Sequence, residues 1–545
     1  MAQRIVVIGG GAAGIGAAGA AKGTDRSADV RVYTEFEDVG YSPCGIPYVH
    51  GREIPDFERL FLATRETYDS AGIDIRYETR VTGFDTGRKT VSVQGEGEVG
   101  YDKLIVATGF DYADPGVPGT DLGNLYYVKN IRRAIEWDKV LDGVKSAVVV
   151  EASPLGLEMV TALCHRGIET HLVDPGAWAL SVATDPDIIA PVQDSWREKG
   201  ATLHFNTTLT GFAGQGTVRA VQTSDGDIPC DLAVVCTKKA ANTALATAAG
   251  IRTGSASGLI VDERMHTSAA DVWAAGDCTE IPHSVTQIPI QGLSGSHAYS
   301  QGKVAGTNAA GGERRYQPVS VPWGMMAGDW MIGGVSFSET LATALGIPHV
   351  VGVAEGISRA RYYPGVEKVR VKLLAEPGTL RLIGAQMVGR EGIKERADFL
   401  AMAVRTGITI NEFATMENVY SPPIGALNEP IAVAAQNLLA GLGSRGDQGF
   451  VRPLAARHVR ALPDGRGAAE DGGQVRRDPA AAAARRRGVL AAGVRSRVPG
   501  RALAGPFGHH APDARQSPHD LDQAASSKFG LARAGGLARA ASVVG

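Results

Sequence analysis

The sequence predicts an α/β protein, and three observations carry that prediction. Two strand–helix–strand patterns stand about 140 residues apart, each with a tight turn between its first strand and its helix. Apolar strands alternate with helices through most of the chain, the order that builds parallel sheets. Beyond Pro322 the pattern changes to a hairpin and a helix, which predicts a separate α+β unit.

The first unit reads as strand 4–8, a turn, an Ala-rich helix and strand 30–33. The second reads as strand 147–150, a turn, helix 155–165 and strand 170–173. In the third, strands 369–374 and 381–387 meet through Pro377-Gly378, a turn pair. Ile393, Ala397, Leu400, Ala401 and Val404 then recur at helical spacing.

At 545 residues, 44% hydrophobic and 21% charged, the chain has material for three or four cores of about 150 residues each. Seventy glycines without a G-X-Y period exclude collagen and imply many tight turns. A formal charge of −3 offers no global basic field for nucleic acid. No apolar run reaches the roughly 18 residues a membrane span needs. The N-terminus enters a strand pattern at once, without a charged-then-apolar signal segment. Cys44, Cys164, Cys230, Cys236 and Cys278 are too few and scattered for a disulfide framework, and none has zinc spacing, so no metal site is expected. The expectation is a cytoplasmic protein whose cysteine chemistry, if any, is redox.

Residues 446–545 differ from the rest. They carry 15 Arg and one Lys against eight acidic residues, a charge of +8 that leaves −11 on the first 445. This Ala/Arg/Gly/Pro-rich stretch has no sustained apolar period, so it is expected to be a disordered tail. Its Arg-for-Lys bias is that of a GC-rich frame read out of register, and a frameshift product or non-functional extension is the expected origin.

Gly9, Gly11 and Gly14 form G-x-G-x-x-G directly after a strand and before a helix. Gly9 allows the turn, Gly11 lets backbone N–H groups approach a pyrophosphate, and Gly14 lets helix pack on strand. Glu35 follows the second strand, where a carboxylate accepts from a ribose hydroxyl. This context predicts a Rossmann-like dinucleotide site.

The segment Thr267-Ser268-Ala269-Ala270-Asp271-Val272-Trp273-Ala274-Ala275-Gly276-Asp277 resembles the second FAD fingerprint of the two-dinucleotide-domain flavoprotein disulfide reductases. The resemblance implies bound FAD, with Gly276 and Asp277 at its ribityl chain. Thr108-Gly109 resembles that family's crossover into its pyridine-nucleotide domain. The implied layout is an FAD-binding domain in two parts, 1–115 and 250–320, an NAD(P)H-binding domain at 116–249 and a dimerisation domain at 321–445.

Tyr41-Ser42-Pro43-Cys44-Gly45-Ile46-Pro47-Tyr48 places one cysteine at a turn entering a helix, where unpaired N–H groups favour thiolate. Five residues on stands Val49, so there is no C-x-x-x-x-C dithiol. The segment resembles the single-cysteine branch of the family, which includes coenzyme A-disulfide reductases, persulfide reductases, and NADH oxidases and peroxidases. Cys44 is then the redox centre, Ser42 a substrate-side residue, and Gly40 stands where the branch has serine. Oxidases and peroxidases of the branch place a histidine in the first glycine loop. Ala12 and Ala13 stand there, favouring coenzyme A disulfide or a persulfide as acceptor.

Arg361-Tyr362-Tyr363-Pro364-Gly365 and Val419-Tyr420-Ser421-Pro422-Pro423 resemble the tyrosine segments of coenzyme A-disulfide reductases, whose tyrosines reach the other subunit of a homodimer. This implies Tyr420 as general acid, assisted by Tyr362 or Tyr363. Lys22 falls where the family has a cation for coenzyme A phosphates.

The second glycine motif is degenerate. It reads Glu151-Ala152-Ser153-Pro154-Leu155-Gly156, with only the third glycine kept. A carboxylate near a pyrophosphate opposes binding. Glu158 matches the family's Gly-Leu-Glu, and Asp174 ends the next strand, a choice suited to the ribose 2′-hydroxyl of NADH. Thr237-Lys238-Lys239-Ala240-Ala241-Asn242 replaces the usual Gly-x-Arg-Pro-Asn.

The reading is an FAD-dependent oxidoreductase passing electrons from NAD(P)H, NADH preferred, through flavin and Cys44 to coenzyme A disulfide or a persulfide. Two alternatives stay open: an NADH oxidase working through a Cys44 sulfenate, and a flavin-binding redox sensor or reductase with a non-nicotinamide donor.

Overall fold

The computed structural model describes residues 2–236, 239–291 and 294–444. The 446–545 tail, Thr237 and Lys238 lie outside the described residues.

Each expected βαβ unit forms, its elements within a residue or two of the bounds expected. In the first, strand Arg4–Ile8 lies between Asp29–Tyr33 and Lys103–Val106, with Ile73–Arg76 and Val272–Ala274 on the outer sides, all parallel. Ile5, Val6 and Val7 are fully buried, as a strand covered on both faces requires. The return of Val272–Ala274 to this sheet puts Gly276-Asp277 beside the first glycine turn. Helix Ala12–Thr24 packs on helix Gly295–Ala309, and the contact depends on missing side chains. A Cβ on Gly302 or Gly306 would strike the backbone of Ala13 or Ala17. Part of the glycine excess is therefore spent on helix contact rather than turns.

The second unit repeats the plan with Ser146–Val150 between Glu169–Asp174 and Leu232–Val235. Ala201–Phe205 and Leu125–Tyr126 complete a five-stranded parallel sheet. The chain passes between the units through two short strands, Phe110–Tyr112 and Lys239–Ala241, paired antiparallel. The third sheet is antiparallel, in the order Pro322–Ala327, Trp330–Ser336, Leu382–Gly389, Lys368–Ala375, Val350–Ile357. Helix Ile393–Thr406 covers it, burying Ile393, Ala397, Leu400, Ala401 and Val404, the set its spacing selected. Two three-stranded antiparallel sheets, the first starting at Val81–Asp85 and the second at Leu209–Gln215, went unread in the sequence. Their short, Gly-interrupted strands carry too little alternation to stand out.

One apolar core runs through all three parts. Ile46, Val49, Phe57 and Leu60 from beyond Cys44 join Leu157, Met159 and Trp196 of the second unit and Trp323 and Ile332 of the third. The cysteine turn is thus built on a surface that two other domains hold. No helix among the described residues is long and apolar enough to cross a membrane.

Candidate functional site

At the first glycine loop the three glycines have three separate reasons. Gly9 adopts φ +109°, its N–H donates to the Tyr33 carbonyl at 2.8 Å, and a Cβ there would strike the Ala107 carbonyl. Gly14 lies so close to Gly9 that any side chain would collide with its carbonyl. Gly11 caps helix Ala12–Thr24 without a side-chain bond, and the space its Cβ would take is open. An open helix N-terminus with unclaimed N–H groups is what a pyrophosphate needs. Glu35 lies two residues past strand Asp29–Tyr33, exposed, in a cleft with Asp38, Glu78 and Arg132.

Gly276 turns the chain at φ +86°, and its N–H donates to Gln301 Oε1 at 2.7 Å. Asp277 follows, its side chain 12% exposed, and burial raises its carboxyl against the pull of Lys239, whose Nζ is 3.6 Å from Oδ2. Thr108 Oγ1 donates to the Asn242 carbonyl at 2.6 Å, while Asn242 N donates to the Gly109 carbonyl at 2.9 Å. Thr108 and Gly109 therefore tie the two crossover strands together. The open Gly11 cap, the nearby Gly276 turn and the sequestered Asp277 carboxylate fit a dinucleotide with a hydroxylated chain.

Cys44 lies in the one-turn helix Pro43–Gly45, partly exposed, and helix Ile46–His50 follows. Tyr48, four residues on and so on the same face, donates to Glu158 Oε1 at 3.4 Å. Burial, then the Glu158 charge, pushes the Tyr48 phenol up. His50 is fully buried, 3.2 Å from Asp138 Oδ1 and 3.0 Å from the Tyr126 hydroxyl. Arg52 and Arg166 also bind Asp138, so this cluster pins the cysteine segment to the second unit. Sequence reading missed it because His50 and Arg52 stand 76 to 88 residues from their partners Tyr126 and Asp138. Ser42 is half-buried, its N–H on the Leu60 carbonyl at 2.8 Å and its hydroxyl capping nothing on the turn. Cys230, Cys236 and Cys278 are buried; burial pushes the Cys230 thiol up to about 11 and raises that of Cys278.

The structure explains Gly40. It has φ +63°, and a Cβ would overlap the Tyr68 hydroxyl. A serine could stand here only with left-handed strain and a displaced Tyr68. Gly40→Ser is expected to cost about 1–3 kcal/mol, read by urea unfolding; unchanged stability would refute the clash.

At the degenerate loop Glu151 takes the left-handed turn itself, at φ +75°. Ser153 Oγ accepts from Gly156 N at 3.3 Å and so caps helix Pro154–His165. Gly156 is retained because its Cβ would strike the Glu151 carbonyl. The ribose role expected for Asp174 is corrected by its surroundings. It is completely buried, and its two oxygens accept from Ala152 N at 2.6 Å and Gly176 N at 2.7 Å. Its carboxylate holds the loop in shape from beneath. In this unit the protein's own side chains take N–H groups that the first loop leaves open. Glu158, 3% exposed, points at Tyr48.

Lys22 has partners within its own segment. Its ammonium donates to the carbonyls of Ala28 at 2.8 Å and Arg26 at 3.1 Å, in the last turn of helix Ala12–Thr24. That is the far end of the helix from Gly11, and there it secures the chain reversal after the helix. Tyr362 and Tyr420 are brought together, hydroxyl to hydroxyl at 3.1 Å, on an exposed face with Val419, Ile424 and Leu427. The hydrogen bond to Tyr362 raises the Tyr420 phenol. Tyr363 is half-exposed beside them.

Residues 3–292 match the family model described as pyridine nucleotide-disulphide oxidoreductase, and residues 324–429 match that family's dimerisation domain. The chain belongs to the pyridine nucleotide-disulphide oxidoreductases. A relative from Methanocaldococcus jannaschii named NADH oxidase is 34% identical over 451 residues, covering 81% of this chain and all of the relative. One from Pyrococcus abyssi, named NAD(P)H sulfur oxidoreductase (CoA-dependent), is 29% identical over 443 residues, covering 80% of this chain and 98% of the relative. The solved structure of a NAD-dependent persulfide reductase from A. fulgidus superposes with a TM-score of 0.78 at 30% identity, over 81% of this chain and 84% of that one. This oxidoreductase accordingly uses FAD and NAD(P)H, with the two Rossmann-type units and α+β dimerisation domain expected. Its kind is that of the sulfur reductases and NADH oxidases, an enzyme rather than a passive sensor.

Proposed function

We propose that this oxidoreductase is a homodimeric, NADH-using disulfide reductase whose Cys44 thiolate opens coenzyme A disulfide or a related persulfide. The observation that carries the reading is Cys44 itself. It is partly exposed on a turn anchored to a second domain, while Cys230, Cys236 and Cys278 are buried. Cys164 is also half-buried, but it lies within helix Pro154–His165, where burial raises its thiol. One sulfur on an open turn suits an acceptor that brings its own sulfur. The persulfide reductase likeness and the CoA-dependent relative support the same acceptor class.

The chemistry of the chain's own residues follows. Cys44 thiolate attacks one sulfur of R–S–S–R′, forming Cys44–S–S–R and releasing R′–S⁻. Tyr420 of the partner subunit, assisted by Tyr362 or Tyr363, would give that thiolate a proton. When bound, FAD supplies the two-electron chemistry between nicotinamide and the mixed disulfide, which returns Cys44 to thiolate and releases the second thiol. Gly9, Gly11, Gly14, Glu35, Thr108, Gly109, Gly276 and Asp277 would hold that cofactor. Gly156 and Glu158 shape the nicotinamide side, with Asp174 supporting its loop. The Glu151 carboxylate at this loop disfavours added phosphate charge, and NADPH carries one phosphate more than NADH.

The oxygen-reducing reading is supported by the Methanocaldococcus jannaschii relative and by three others named NADH oxidase, 26–27% identical, from Enterococcus faecalis, Lactococcus lactis and Streptococcus pyogenes. Against it stand Ala12 and Ala13 in the first loop, which offer no proton donor to a peroxide. Parallel measurement of oxygen uptake and coenzyme A disulfide consumption with NADH decides between them. Disulfide turnover well above oxygen uptake is expected; the reverse would reject the proposal.

The second loop gives a separate test. Glu151→Gly should remove left-handed strain of about 1–2 kcal/mol and a charge that opposes the pyrophosphate. The KM for NADH is expected to fall several-fold while kcat holds. An unchanged KM would show that Glu151 does not face the nucleotide.

A further inference from the structure

A carboxylate taken out of water drifts toward its neutral form unless a cation faces it. Asp277 is in that position: it follows strand Val272–Ala274, its side chain is 12% exposed, and burial raises its carboxyl. The cation that answers it comes from the crossover. Lys239 Nζ lies 3.6 Å from Asp277 Oδ2, its own side chain only 24% exposed.

Lys239 is held there by its surroundings. It opens strand Lys239–Ala241, where it pairs with Tyr112 across the antiparallel ladder. Its ammonium stands 4.2 Å from the centroid of the Phe110 ring, whose face attracts a cation. At the other end of the ladder the Thr108–Asn242 bonds fix the register. A second lysine, Lys129, also approaches the Phe110 ring, at 5.0 Å, but its ammonium is engaged by Asp111 and the Phe110 carbonyl. The groups acting on Asp277 are therefore Lys239 directly, Lys129 from further off, and the adjoining Cys278 thiol. Lys239 lies in the segment that departs from the family's Gly-x-Arg-Pro-Asn.

We propose that Lys239 is a cofactor-positioning residue that holds Asp277 as a carboxylate and so sets how tightly, and over what pH range, FAD is retained. The inference rests on Asp277 as the acceptor for a hydroxyl of the flavin's chain. A hydroxyl donates more strongly to a carboxylate than to a carboxylic acid. Without the lysine, the protein must either bury an unpaired anion or protonate it, and each weakens the hold on FAD. The sign follows. Removing Lys239 lets Asp277 take up a proton at higher pH, so FAD retention in the variant begins to fall at a higher pH than in the unaltered enzyme.

The test follows FAD release from diluted holoenzyme by the rise in flavin fluorescence, between about pH 5.5 and 8.5. Lys239→Met is expected to release FAD about tenfold faster at neutral pH, about 1.4 kcal/mol, with the gap widening toward acid. Lys239→Arg, which keeps the charge, is expected to stay within about threefold. Release by Lys239→Met that equals or is slower than the unaltered enzyme at every pH overturns the proposal. Lys239→Gln gives the same comparison should the methionine variant fail to fold. Asp277→Ala separates the two layers: normal retention there removes the Asp277 assignment itself. Fast release from Asp277→Ala with normal release from Lys239→Met rejects the lysine's role alone.

Discussion

Cys44→Ser is expected to leave a folded, yellow protein that has lost disulfide turnover by about 10³-fold or more. Sulfur is needed twice. As thiolate it attacks a disulfide at neutral pH, and as one half of a mixed disulfide it can be released again by two electrons. A serine hydroxyl is far weaker as a nucleophile and forms no bond to sulfur that two electrons would reverse. Cys278 cannot stand in. It is fully buried, its thiol directed at the carbonyls of Ala275 at 3.4 Å and Val106 at 3.7 Å. Flavin absorbance of the purified variant and its coenzyme A disulfide turnover make the comparison. Full turnover would end the sulfur mechanism, and a colourless but folded variant would mean that Cys44 serves flavin binding instead.

The second large effect concerns how the nicotinamide unit is held to the dimerisation domain. Asp185, just before helix Pro186–Glu198, is buried, and its carboxylate accepts from Lys372 Nζ at 3.0 Å and Gln386 Nε2 at 2.6 Å. Thr340 adds its N–H at 2.9 Å and its hydroxyl at 2.7 Å, and Asp185 N donates back to Gln386 Oε1 at 2.6 Å. Lys372 also binds Asp187 and Glu339. Removing one member of such a buried group strands the others, so Lys372→Met is expected to cost about 3–5 kcal/mol. A double variant, Lys372→Met with Asp185→Leu, should recover part of that loss. Urea unfolding measures both; a single variant within about 0.5 kcal/mol of the parent would mean that water or the remaining carboxylates compensate.

The same carboxylate carries a pH signature. Burial alone would raise Asp185, but the Thr340 and Gln386 hydrogen bonds and the Lys372 charge bring it below the usual carboxylate range. A depressed folded-state value means stability that is fully present above the unfolded value near 4 and lost as pH falls through the folded one. Asp138, for which the His50 and Arg52 bonds outweigh burial, is lowered to about 2 and acts in the same direction. Acid unfolding should therefore begin below about pH 4, and Lys372→Met should shift its onset upward.

Much of the cofactor site was readable because its demands are local. Gly9, Gly11 and Gly14 meet backbone requirements within a six-residue turn, and a turn of that shape leaves the same mark in any chain. Cys44 was readable for a similar reason: an accessible thiol among Gly and Pro, with no second cysteine five residues on. Asp174 misled because residue type and position suited binding, while the Ala152 N–H from the glycine loop and the Gly176 N–H had claimed its carboxylate. Lys22 caps carbonyls at Arg26 and Ala28, and Asp174 props up Ala152 and Gly176.

The amino-acid order by itself determined the two βαβ units, the open first glycine loop, the impaired second loop and the cysteine proposed as the redox sulfur. Each is written in neighbouring residues through φ preference, side-chain volume and apolar period. Tertiary structure alone decided that Tyr68 leaves no room for a side chain at Gly40, that Tyr362 meets Tyr420, and that Lys239 reaches Asp277. These pairs stand 28, 58 and 38 positions apart. Which charges and hydroxyls meet across such separations is set by how the sheets and helices pack, and no local preference encodes it.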